Sequence, residues 1–137
     1  MQDSPTARKL LALERALAEL RSLGHITPAD LAADWRMQRA VERDVLILVD
    51  VVVEVCQRVA GNAGQTRLPS VGDAVARCVR LGALSAEVNY VGLVRLANFP
   101  VYRYEAIEAG LLVEMVNEKL DDFARFRDDM TVYLGRR

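Results

Sequence analysis

Residues 35–59 read WRMQRAVERDVLILVDVVVEVCQRV, and the fold turns on whether they form a helix or a strand. The centre, VLILVDVVVEV from Val45 to Val55, is rich in β-branched residues, and propensity alone would allow a strand there. Polar flanks at helical spacing extend the segment to about 25 residues, which selects the helix. Asp34 stands in front of it as a cap. The helix is apolar nearly all round, so it must be buried on more than one side, and in so short a chain that points to a subunit interface.

Outward from this helix the punctuation is equally helical. Ser4 followed by Pro5 predicts a helix start, and Gly24 a stop, with Leu10, Leu13, Leu17 and Leu20 forming a bundle seam between them. Thr27 before Pro28 reads as a second start. Gly61-Asn62-Ala63-Gly64 closes the long helix, and a loop runs to Pro69. Ser70 caps a short helix ending near Gly82, and Ser85 is read as the cap of a fourth helix carrying Val88, Val91, Leu93, Val94 and Leu96. Pro100 breaks the chain, and a last helix is expected from about Tyr104 to Leu134. Residues 1–137 are read as one all-α domain, an antiparallel bundle of about five helices.

Composition agrees. Hydrophobic residues make up 52% and aromatics 6%, so Leu, Val and Ala supply the packing expected of helix against helix. The formal net charge is −1, which provides no global field to attract nucleic acid, so any RNA contact needs a local cluster. Cys56 and Cys78 are too few for a disulfide framework and are read as buried free thiols. His25 is the only histidine. No metal or other cofactor is expected. The N-terminal residues lack a signal-peptide core, and the apolar run Val45–Val53 is far short of a bilayer span, so the expected place is the cytoplasm.

Four stretches are similar to the HepT branch of the HEPN (higher eukaryote and prokaryote nucleotide-binding) superfamily. They are residues 31–59, LPSVGDAVARCVRLGAL (68–84), GLVRLANFPVYRYEAI (92–107), and the closing helix with LDDFARF (120–126). In the family the third carries Arg-Asn-x-x-x-His-x-Tyr. The resemblance implies that this Arg and His form a metal-independent ribonuclease site facing its symmetry mate in a homodimer. Here Asn98 and Tyr104 match, and Val101 and Arg103 suit the family pattern, but Ala97 stands for the Arg and Tyr102 for the His.

That exchange bears on chemistry. Metal-free RNA cleavage needs a base for the 2′-hydroxyl proton and a cation for the phosphorane charge. Imidazole titrates near neutrality, whereas a phenol loses its proton only near pH ~10 and makes a poor base. Each lost role costs on the order of 10²–10⁴ in rate. Arg95, about 200° round a helix from Ala97, should face away from the site. Arg103 neighbours Tyr102 and is read as a surface arginine that could also reach a phosphate. Arg36, Arg39 and Arg43 read as a solvated face of the long helix.

Asp50 and Glu54, one turn apart on the long helix, are the supporting acids. Either they orient motif residues such as Asn98 or Arg103, or they form a buried ion pair or interface contact. By resemblance, Tyr104 occupies the tyrosine to which a minimal nucleotidyltransferase antitoxin transfers AMP; otherwise it is a rim tyrosine. The reading carried forward is a ribonuclease-deficient, homodimeric partner of such a nucleotidyltransferase in a toxin–antitoxin module. Its alternatives are an active ribonuclease using Arg103 and Tyr102, and a nucleotide-binding module.

Overall fold

A computed structural model describes residues 4–62 and 68–136. Helix α1 spans Pro5–Ser22, α2 Pro28–Ala33, α3 Trp35–Asn62 and α4 Val71–Arg80. A single turn, α5 (Tyr90–Leu93), leads into two 3₁₀ turns, Arg95–Asn98 and Pro100–Arg103. The closing rod consists of α6 (Ala109–Glu114), a π-helical turn (Met115–Lys119) and α7 (Leu120–Gly135). No strand occurs among the described residues. The fold is all-α, as the long helix requires.

Local chemistry sets the ends. The Ser4 hydroxyl accepts the Ala7 N–H at 3.0 Å. Thr27 and Asp30 exchange side-chain and backbone bonds in a capping box. The Asp34 carboxylate accepts the N–H groups of Arg36 and Met37, which opens α3, and Ser70 accepts from Asp73 to open α4. Gly24 takes φ +67° just past α1, a conformation in which a side chain would be strained. The closing loop read at Gly61–Gly64 lies partly outside the described residues.

Helices α1 and α3 run antiparallel. Glu19 near the end of α1 meets Asp44 early in α3, while Pro5 and Arg8 share a groove with Arg58 late in α3. Helix α7 is antiparallel to α1 as well, with Arg21 paired to Asp121 at 3.0 Å and Arg127 near Glu14 at 3.9 Å. Leu13, Leu17 and Leu20 of α1, Leu48 and Val52 of α3, and Phe123, Phe126 and Met130 of α7 are wholly buried between them. Each such side chain contributes roughly 1.5–3 kcal/mol of burial. Helix α4 folds back on α3 through Gln57, whose amide bonds the Leu68 backbone at both ends, and Cys78, whose thiol reaches the Cys56 carbonyl at 3.5 Å. Both thiols are free and buried.

Two helix boundaries differ from the sequence reading. Ser85 does not cap a helix: its hydroxyl turns back to the Glu87 N–H, and its own N–H donates to Asp129 of α7. The helix starts five residues later, at Tyr90, under an Asn89 cap. The closing rod begins at Ala109 rather than Tyr104, because the Ile107 N–H is drawn to the Glu42 carboxylate of α3 at 2.8 Å and cannot serve a helical ladder.

Candidate functional site

Residues 89–108 cross the bundle as short turns. The Asn89 side chain accepts the Gly92 N–H at 3.0 Å and starts α5. A Cβ on Gly92 would lie 2.7 Å from the Asn89 amide nitrogen, so any other residue there would make the capping side chain shift. The helix lasts one turn and gives way to the Arg95–Asn98 turn, which packs on α3 through buried Leu96. Pro100 then holds Phe99 extended, at φ −123° and ψ 80°, and opens the second 3₁₀ turn.

The motif positions fall along these turns. Ala97 is half-buried against the core and presents a methyl group. Tyr102 is half-buried too, its ring 5.9 Å from that of Phe99 and tilted by 54°. Asn98 is exposed, and Tyr104 is 84% exposed. Phe99 and Val101 are exposed beside them, so the segment shows solvent an apolar and aromatic strip. Between Ala97 and Tyr102 the arrangement offers one hydroxyl, a hydrogen-bond donor or acceptor, and no cation.

Arg103 is held by α3. Its guanidinium lies 3.7 Å from an Asp50 oxygen, with both side chains partly exposed. Burial pushes the Asp50 carboxyl above its usual range, and Glu54 adds to the rise; Arg103 foremost, and Lys9, oppose it. Asp50 thus contacts one of the motif residues named for it, and Glu54 acts on Asp50 electrostatically. Sequence reasoning missed the strongest tether, Glu42. This buried carboxylate accepts from Ile107 on one oxygen and from Arg39 on the other. A signal was available, because Glu42, Leu46, Asp50 and Glu54 follow at four-residue intervals and carry three acids along one side of α3.

These turns and their tethers lie within the part of the chain that a family model recognises. The model described as Ribonuclease HepT-like matches residues 13–130. The chain belongs to the HepT-like family. No curated protein and no solved structure matches it. Membership of the HepT-like family agrees with the all-α bundle. The remaining residues that such a site could draw on are elsewhere. His25 is exposed in the turn between α1 and α2, next to Ile26, which the closing rod binds through Asn117. Arg36, Arg39 and Arg43 are exposed on α3, with Arg36 5.3 Å over the Trp35 ring and Arg39 paired to Glu42. Arg95 turns to a different cavity from the one beside Asp50.

Near Asp50 the α1–α3 junction forms an open groove of about 340 Å³, lined by Arg8, Lys9, Ile47 and Arg58 among others. No group of three or more His, Cys, Asp or Glu among the described residues could hold a metal ion. No helix among them is long and apolar enough to cross a membrane.

Proposed function

We propose that this HepT-like chain, one domain over its 137 residues, has lost ribonuclease activity and serves as a homodimeric binding partner of a minimal nucleotidyltransferase in a toxin–antitoxin module of the cytoplasm. One observation carries the reading: Ala97 and Tyr102, at the family's Arg and His positions, are packed into the bundle surface, while Phe99, Val101 and Tyr104 around them remain exposed. A surface that keeps its aromatic side chains outward and lacks its chemistry suits contact with protein. Arg103, the one motif cation, is engaged by Asp50 and so is poorly placed to neutralise a phosphorane.

Tyr104 has the accessibility that AMP transfer to its hydroxyl demands. Asp50, with Glu54 behind it, positions Arg103, and Asn98 stays at the rim. The groove bordered by Lys9 and Arg58 favours a second reading, a module that holds the phosphate of a nucleotide or RNA end without cutting it.

The test is RNA cleavage without divalent ions. The protein is expected to leave tRNA and mRNA intact, and Ala97→Arg with Tyr102→His together to introduce cleavage. Specific cleavage by the unaltered chain, abolished by Tyr102→Phe, refutes the proposal. Mixing with a minimal nucleotidyltransferase and ATP is expected to add one AMP mass, lost in Tyr104→Phe. Calorimetric titration with nucleotides checks the second reading.

A further inference from the structure

The closing rod contains one turn that ordinary α-helix chemistry does not require. Met115–Lys119 is π-helical, and such turns recur at functional sites. On one side it is pinned: the Asn117 amide donates to the Ile26 carbonyl at 2.8 Å and its oxygen accepts the Ile26 N–H at 3.0 Å. A π turn takes one residue more than an α turn, so every side chain after it is shifted by one position. Lys119, the last residue of the turn, lines a cavity, and Glu118 is exposed outside it.

This cavity, about 210 Å³, lies between the rod and the α5–3₁₀ segment. Its apolar lining comes from Leu93, Leu96, Leu111 and Met115. Its charged lining has both signs: Arg95 and Lys119 against Glu114 and Asp122. No ion pair within 4.0 Å involves any of the four among the described residues. Gly92 and Asn89 also line the space.

We propose that this cavity binds a free α-amino acid with an aliphatic side chain. The carboxylate would lie against Arg95 and Lys119, the ammonium against Glu114 and Asp122, and the side chain over the leucines and Met115. Both charges of a zwitterion are thus met, and each pair is charge-assisted. Pockets for drug-sized ligands span about 300–1,000 Å³, so this smaller one suits a molecule of amino-acid size. The site is separate from the Asp50 groove and independent of the proposed function, although Arg95 and Leu96 belong to the same turn as Ala97 and Asn98.

Isothermal titration of the full chain with L-leucine and L-methionine tests it, with 4-methylpentanoate and isoamylamine as compounds carrying one charge each. Saturable binding in the millimolar range or tighter is expected for the amino acids, and binding weaker by about tenfold or more for either half-compound. Arg95→Ala and Glu114→Gln should each weaken leucine by a similar factor, and Glu118→Gln, outside the cavity, should leave it unchanged. Circular dichroism confirms that each variant is folded. Absence of saturable leucine and methionine binding overturns the proposal, as does binding that survives both cavity variants or that 4-methylpentanoate reproduces in full.

Discussion

The α1–α3–α7 bundle and the 89–108 crossing are built from similar residues but held in different ways. In the bundle, long helices bury whole seams of leucine, valine and phenylalanine, and side-chain caps open α1 and α3. In the crossing, no helix exceeds four residues; its first turn is anchored by buried Tyr90, Leu93, Val94 and Leu96, and the rest by buried Ile107 with its Glu42 bond and by the Asp50–Arg103 pair. The difference teaches that stability and candidate chemistry are separated in this molecule. The bundle sets the free energy of folding, and the crossing sets what the surface displays.

The comparison can be broken most forcefully in the bundle. Phe126→Ala should cost about 3–5 kcal/mol in urea unfolding, because the ring is wholly buried and packs edge-on against Tyr90. A cost no larger than that of a crossing substitution would erase the distinction. Glu42→Ala should cost about 1–3 kcal/mol by leaving the Ile107 N–H buried without an acceptor, and should speed amide exchange through 99–107, whereas Glu42→Gln retains an acceptor and should recover most of it.

Asp44 offers a pH test within the bundle. Burial foremost, and contact with Glu19, push its carboxyl from 3.8 up to about 7, with Arg43 opposing. The folded state therefore holds this proton more tightly than the unfolded chain. The stabilisation is fully present below pH 3.8 and is lost as pH rises through about 7. Asp44→Asn should flatten that slope and raise stability by about 1 kcal/mol or more on the alkaline side, read from denaturant midpoints across the window. Tyr90→Phe should be stabilising by about 1 kcal/mol, since the buried hydroxyl has no hydrogen-bond partner among the described residues. The smallest effect belongs to the crossing: Phe99→Ser and Tyr104→Ala should alter stability by less than about 0.5 kcal/mol. If the strip is a protein contact, the same changes should weaken self-association in sedimentation.

The two regions also differ in how far they could be read from residues alone. Ser4, Thr27, Asp34 and Ser70 were legible as caps because each bonds an N–H two or three positions ahead. The seam of α1 and the helical nature of 35–59 follow from period alone. Ser85 and the start of the closing rod were misread for the opposite reason. Ser85 answers to Asp129, 44 residues on, and Ile107 to Glu42, 65 residues back. The Asn117–Ile26 bonds at the π turn were invisible for the same reason, since the two residues stand 91 positions apart. At the candidate site the identities of Ala97, Asn98, Tyr102, Arg103 and Tyr104 could be set beside the family pattern, but the Arg103–Asp50 contact required the fold.

The crossing is strung between few moorings, with Leu96 at one end, Ile107 at the other, and Arg103 tied down between them. Most residues inside that span could be exchanged without the bundle registering the change. A lineage could thus discard or refashion its chemistry there by ordinary drift, while the scaffold beneath went on folding as before.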